Sequence, residues 1–493
     1  MIAIHSKPAC LVLHGAWLAC ALLVAGCASP ARAPDHAASP LAHDEAVVRI
    51  APDARRRLAA NGADSAMAER VKAEFLHAWN GYKRHAWGHD ALKPLSNQPS
   101  DWYAESLLMT PVDALDTMLL MGLDAEADEA RELIATTLSF DRDLDVKHFE
   151  VVIRLLGGLL SGYQATGDAR LLALADDLGM RLLPAFDSPT GLPYVNVNLR
   201  TGAASGTESN PAEAGTLLLE YGTLARLTGK PVYRDKAWRA LEATYAMRSP
   251  IGLVGERFDV ETGRWTQTRT HVGARIDSYY EYLWKCWQLF AEPRCKAMWD
   301  THIAALNAHV AEEVDGALWY GHVDMATGAR IAPRFGALDA FFPGLLALSG
   351  DLDRAARLQR SAFLMWQAHG IEPEAWDYRA REVVSPGYPL RPEIVESAWY
   401  LYRLTGDPAW RDMGHTLFED FVRHTRTDSG FAALANVVTK EKKDDMESFV
   451  LAETFKYFYL LFADPATLDP ATTVLTTEAH PLQPVAPDPD QAL

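Results

Sequence analysis

Acidic residues recur in this sequence at matching points of a repeat, each time beside aromatic residues. They are Asp113 and Asp116, Glu150, Glu213 and Glu220, Asp277 and Glu281, Asp339, Glu393 and Glu396, and Glu447 and Glu453. One acid at a helix start means little, because carboxylates suit the positive end of the helix dipole. Seven such places gathered at one end of a closed array form a ring of carboxylates around a cavity mouth. Two chemistries use such a ring. Glycoside hydrolysis needs an acid and a base around one glycosidic bond, and nearby aromatic rings give the sugar a platform. A hard cation such as calcium takes its oxygen ligands from the same residue types.

The elements that must position these acids repeat along the chain. In Gly387-Tyr388-Pro389-Leu390-Arg391-Pro392 a kinked loop brings Arg391, Glu393 and Glu396 to the start of an apolar, aromatic helix. Pro392 fits there because a helix start needs no N–H. Glu393 and Glu396, three apart, share one face of the first turn. Gly406 ends the helix and Asp407-Pro408 opens the next. Comparable stops fall at 122, 167, 229, 292, 350 and 463, each ending an apolar helix and each followed by a more charged, amphipathic segment. A helix apolar all round is buried, and an amphipathic one keeps an outer face. Seven such hairpins predict an all-α fold, an (α/α)7 barrel of inner and outer helices, in preference to an open solenoid with capping repeats.

The chain has 493 residues, 49% of them hydrophobic and 10% aromatic, with a net charge of −18. That is enough apolar material for one large core, and the charge lacks the basic footprint of a nucleic-acid binder. Residues 1–26 read as an export signal, with Lys7 ahead of an apolar run. Leu23-Val24-Ala25-Gly26-Cys27 resembles a bacterial lipoprotein signal, implying lipid on Cys27 and a periplasmic or outer-membrane anchored protein. A secretory signal cleaved near Ala28 or Ala31, or an uncleaved anchor, are the plainer alternatives. Residues 27–64, rich in Ala and Pro, read as a tether, 65–482 as the catalytic domain and 483–493 as a disordered tail. No later run has the roughly 18 apolar residues that span a bilayer. Cys286 and Cys295 flank a helix stop and either pair in an oxidising compartment or stay as half-buried thiols.

His148-Phe149-Glu150-Val151-Val152-Ile153-Arg154-Leu155-Leu156-Gly157-Gly158-Leu159-Leu160 is similar to a signature of glycoside hydrolase family 47, the class I α-mannosidases. So are Gly273-Ala274-Arg275-Ile276-Asp277-Ser278-Tyr279-Tyr280-Glu281, the stretch 390–397, Glu447-Ser448-Phe449-Val450-Leu451-Ala452-Glu453-Thr454 and Thr477-Glu478-Ala479-His480-Pro481. The resemblance runs in order from about residue 68 to 482. It implies an (α/α)7 barrel plugged by a C-terminal turn. It also implies inverting, calcium-dependent exo-hydrolysis of terminal α-1,2-linked mannose from mannose-rich oligosaccharides or glycoprotein glycans by a monomer.

Carried over residue by residue, Glu393 matches the general base, Glu150 the proposed acid and Asp277 a rival acid. Arg154, Glu220, Arg391, Glu396, Phe449, Glu453 and Glu478 match positions that contact sugar or the waters around calcium. Thr477 matches the residue that ligates Ca2+ directly through its hydroxyl and carbonyl oxygens. Blander readings stand beside these: Glu150 pairs with Arg154 four residues on, and Asp277 caps its helix.

One motif departs. Where mannose-trimming members carry an Asp-His pair before a Leu and a Cys, this chain has Gly336-Ala337-Leu338-Asp339-Ala340-Phe341-Phe342-Pro343-Gly344. That run and Tyr388-Pro389-Leu390-Arg391-Pro392 are more similar to the ER degradation-enhancing branch, which leaves linkage preference and the trimming enzymes' disulfide open. A lipoprotein signal excludes an ER role and suits a glycan scavenger. A lectin-like mannoside-binding module, or a hydrolase of this fold with another α-mannoside preference, are the alternatives.

Overall fold

Apolar, stop-punctuated segments become the inner ring of the barrel. The computed structural model describes residues 48–485. The signal over 1–26, Cys27, most of the tether and residues 486–493 lie outside the described residues. The inner helices are Met109–Leu120, Gly157–Thr166, Leu218–Thr228, Asp277–Phe290, Phe342–Leu348, Glu393–Thr405 and Phe455–Phe462. The fourth is buried from Ser278 through Leu289 and the sixth from Glu393 through Leu404. The outer helix Leu352–His369 instead buries one stripe that includes Ala355, Leu358, Ala362, Met365 and Trp366. Each inner helix touches the next, and the first touches the turn Val450–Thr454 that leads into the seventh. The ring is closed, so there is no solenoid end to cap.

The stops work as the sequence implies at six of seven places. Gly122, Gly167, Gly229, Gly350 and Gly406 have φ of 67°, 70°, 71°, 97° and 65°, and Ala291 takes 53°. A left-handed residue there satisfies the last helical carbonyls and turns the chain outward. The seventh, Ala463, is extended (φ −65°, ψ 171°), and no outer helix follows it. The seventh outer place is filled from the front of the chain, by Ser65–His85. The Asp64 backbone N–H donates to the Phe462 carbonyl at 2.8 Å, and Phe75 meets Phe455 edge-on at 6.1 Å. The seventh hairpin is therefore built from the two ends of the domain, not from consecutive segments.

Two further expectations need correction. The end of the tether is a helix, Pro52–Asn61, because Ala54 and Leu58 lie one turn apart and bury together against the sixth hairpin. Arg57 donates to the Thr405 carbonyl at 2.7 Å and Asn61 to that of Gly406 at 3.0 Å. The start of the tail is also held: Gln483 and Gln164 exchange hydrogen bonds of 2.9 and 3.2 Å, and Arg226 donates to Val485 at 3.0 Å. The all-α (α/α)7 barrel stands as expected, with small sheets in its loops. Loops entering the inner helices pair into small antiparallel sheets, such as Asp145–Lys147 on Asn196–Asn198 and Ala375–Asp377 on Glu382–Ser385. Loops this long satisfy their backbone groups by pairing with one another.

Two features lock the barrel. Cys286 and Cys295 form a disulfide, with Cα atoms 6.0 Å apart, joining the fourth inner helix to the outer helix Pro293–Ala305. At the C-terminus, Val474–Leu475 pairs with Pro481–Leu482, and this hairpin packs against the second and fourth inner helices. Among the described residues, no helix is long and apolar enough to cross a membrane.

Candidate active site

The inner-helix starts, the loops before them and the tip of the C-terminal hairpin enclose a cavity of about 260 Å³. Among the described residues lining it are eight carboxyl groups and four basic side chains, and neither His nor Cys.

The second hairpin supplies Glu150 and Arg154. Glu150 lies in the helical turn His148–Val151, which widens into a π turn over Val152–Leu156 before the inner helix begins. Such π turns concentrate at functional sites because they re-aim side chains within a helix. The Arg154 guanidinium is 3.2 Å from Glu150 and 3.7 Å from Asp113, and it also bonds Glu478. It lies between the rings of Trp102 and Phe449, at 5.2 and 5.7 Å. Lys147 reaches Glu150 at 3.5 Å and Glu213 at 2.9 Å. The bland reading of Glu150 as the partner of Arg154 and the reading as an acid therefore describe one arrangement.

Across the cavity, Asp277 opens the fourth inner helix and accepts from the Ser278 backbone at 2.9 Å. Arg391 is clamped by Glu374 at 2.9 and 3.2 Å, stands 3.9 Å from Glu393 and covers the Phe449 ring at 5.8 Å. Glu396 accepts from Tyr457 at 3.1 Å, and Glu281 is paired with Lys285. Glu453 projects from the second π turn at the site, Val450–Thr454. Thr477 and Glu478 complete the lining from the hairpin tip.

Three residues with left-handed backbone flank this constellation. Arg275, Leu390 and Ala479 take left-handed φ of 75°, 71° and 58°. Each carbonyl is held from a neighbouring element: Arg275 by the Ala212 N–H at 2.8 Å, Leu390 by the Thr454 hydroxyl at 2.8 Å, Ala479 by the Lys456 ammonium at 2.7 Å. Such conformations persist only where the surroundings over-determine them, and they cluster where side chains must be aimed. Here they stand next to Asp277, Arg391 and Glu478.

Burial dominates the electrostatics. It pushes the Glu393 carboxyl up to about 8, against the opposing pull of Arg391, and Asp277 up to about 7. Glu396, Glu453 and Glu478 are likewise raised by burial, with repulsion from neighbouring acids added. Glu393 Oε2 is buried with no hydrogen-bond partner among the described residues. A crowded, desolvated set of carboxyls either holds protons or attracts a cation. Among the described residues no group of three or more His, Cys, Asp or Glu side chains is arranged to hold a metal ion. Thr477 and the acids of the lining carry the oxygen donors that a hard cation takes.

Of the residues singled out in the sequence, Glu150, Arg154, Asp277, Arg391, Glu393, Glu396, Phe449, Glu453, Thr477 and Glu478 all line this cavity. Glu220 does not. It is fully buried behind the wall and accepts from Tyr282, whose hydroxyl in turn accepts from the Thr477 N–H at 3.4 Å. Tyr282 links it to the hairpin tip. Sequence reasoning passed over Lys147, Phe149, Arg275 and Phe341, which also line the site. The departed segment contributes Leu338 and Phe341 to the wall, not its first two residues. A side chain at Gly336 meets the Glu374 backbone carbonyl, so an Asp there does not fit this backbone.

The chain is 37% identical over 454 residues to the ER degradation-enhancing alpha-mannosidase-like protein 2 of Homo sapiens, spanning 85% of this chain and 78% of that one. It is 38% identical over 440 residues to the endoplasmic reticulum mannosyl-oligosaccharide 1,2-alpha-mannosidase of Homo sapiens, spanning 83% of this chain and 62% of that protein. Among solved structures, the alpha-1,2-mannosidase from Trichoderma reesei matches with a TM-score of 0.79 at 28% identity, over 86% of this chain and 99% of that one. The model of glycosyl hydrolase family 47 matches residues 74–484, the whole barrel with its C-terminal hairpin, and the chain belongs to that family.

Proposed function

We propose that the protein is an inverting exo-α-mannosidase that uses calcium to release terminal α-1,2-linked mannose from mannose-rich oligosaccharides or glycans. The observation that carries this reading is the carboxyl-lined cavity, with Phe449 as a ring platform and Thr477 and Glu478 of the hairpin tip in its lining. The names of the relatives supply the sugar and the linkage.

Glu393, beside Arg391, is the base that takes a proton from water as the oxygen attacks the anomeric carbon. Glu150 or Asp277 gives a proton to the departing sugar oxygen. Arg154 and Arg391, fixed by ion pairs and by Phe449 between them, hold the sugar hydroxyls and set the cavity's width. Thr477 would hold calcium through its hydroxyl and carbonyl oxygens, with Glu396, Glu453 and Glu478 bonded to its waters. When bound, the ion supplies positive charge that keeps this acid ring ionised at neutral pH.

Purified protein given α-1,2-mannobiose should release free mannose. Chelation should abolish release, and calcium should restore it better than magnesium, since a roomy multi-oxygen site suits the larger ion. Full activity after verified metal removal would contradict the calcium role. Binding of mannosides without release from any of them would mark a lectin-like module.

A further inference from the structure

Beneath the cavity lies a second, fully buried charge cluster that the mechanism above does not use. The His480 ring is completely buried, with Nδ1 2.7 Å from Asp116 and Nε2 3.4 Å from Asp113. Asp116 also pairs with Lys456 at 2.6 Å, and the same ammonium donates to the strained Ala479 carbonyl. Asp113 accepts from the Ser448 hydroxyl and stands 3.7 Å from Arg154, which holds Glu150 and Glu478. One chain of ionic contacts therefore runs Lys456–Asp116–His480–Asp113–Arg154 from under the hairpin to the cavity wall.

Room for the ring is provided by two consecutive glycines in the second inner helix. A Cβ on Gly157 would stand 2.8 Å from His480 Cδ2, and one on Gly158 3.2 Å from Cε1. The residue also closes the turn itself: the His480 N–H donates to Thr476 Oγ1 at 3.1 Å and its carbonyl accepts from the Thr476 N–H at 3.0 Å. An apolar side chain would seat the hairpin with less desolvation. Charged, directional contacts additionally fix its orientation.

We infer that His480 is a positioning residue: seated against Gly157, it bolts the Thr477–Glu478 turn to the barrel floor and, through Asp113, orients Arg154 towards Glu150 and Glu478. Burial by itself would lower the charge affinity of the ring, but Asp116 and Asp113 outweigh it and raise the imidazole to about 9, so both nitrogens carry protons, Nδ1 bonded to Asp116 and Nε2 facing Asp113 at 3.4 Å.

The test uses the full chain after chelation, comparing wild type with His480→Ala, His480→Gln, Gly157→Ala and the Gly157→Ala/His480→Ala double variant. Hydrogen exchange of peptides spanning 474–482 should quicken tenfold or more in His480→Ala and Gly157→Ala, while peptides of the outer helix Leu352–His369 stay unchanged. His480→Gln, which can still donate to one aspartate, should recover part of the protection. The double variant should be no worse than His480→Ala, because the clash partner is gone. Wild-type exchange in the hairpin of Gly157→Ala and His480→Gln overturns the proposal, even should His480→Ala fail to fold.

A second readout, the rise in melting temperature with added calcium, rests on the mannosidase reading. It should shrink in Gly157→Ala, with kcat on α-1,2-mannobiose falling more than KM rises. A looser hairpin with calcium response and kcat at wild-type values also overturns the positioning role. A wild type indifferent to calcium defeats the calcium reading alone, and hydrogen exchange then decides this one.

Discussion

Glu150 and Asp277 compete for the acid role, and their surroundings differ. Asp277 is buried and pushed up to about 7, whereas Glu150 stands 3.5 Å from Lys147 and 3.2 Å from Arg154. Leaving-group chemistry separates the two. The residue that protonates the leaving oxygen should cost about 10²–10⁴-fold when changed to its amide on a natural mannoside. It should cost far less on an aryl mannoside whose phenol leaves without help. The candidate whose loss is equal on both substrates is not the acid. Thr477 and the acids around it were legible because each sits in a motif. Glu220 was misplaced because counting back from a stop gives a residue's height in the ring, not the direction it faces, and here it faces the buried Tyr282 hydroxyl. Lys147 was missed because it immediately precedes its motif.

Inner helices, their stops and the six consecutive hairpins were readable from apolar runs punctuated by glycine. What could not be read was pairing between distant segments: Ser65–His85 against Phe455–Phe462, and Pro52–Asn61 on the sixth hairpin. Nothing local in an Ala-rich stretch says which surface it will cover. Gly406 reports on that contact. An added Cβ there lies 2.7 Å from both the Ala54 carbonyl and the Arg57 Cβ, while Gly122, with nearly the same φ, has nothing within 4 Å. Gly122→Ala should therefore carry only the left-handed penalty, roughly 1–2 kcal/mol. Gly406→Ala should be clearly worse in denaturant titrations, and should expose Pro52–Asn61 to limited proteolysis. Equal losses would mean that this helix contributes nothing to the sixth hairpin.

At the scale of the molecule, a closed barrel follows a segment that we propose is an export signal. The lipid anchor at Cys27 is a proposal that metabolic labelling with a palmitate analogue decides: the wild type should be tagged and Cys27→Ala released, and an untagged wild type contradicts it. The barrel's own task is more central. Two rings of helices, a disulfide and an N-terminal strut hold eight carboxyls around one small cavity, read here as an inverting glycosidase site with Glu393 as base. Proton NMR of the sugar released from α-1,2-mannobiose, recorded before mutarotation, tests this most directly. The account predicts β-mannose as the first product, with release lost by about 10²–10⁴-fold in Glu393→Gln while the fold is kept. α-Mannose as the first product, or undiminished turnover by Glu393→Gln, would contradict it.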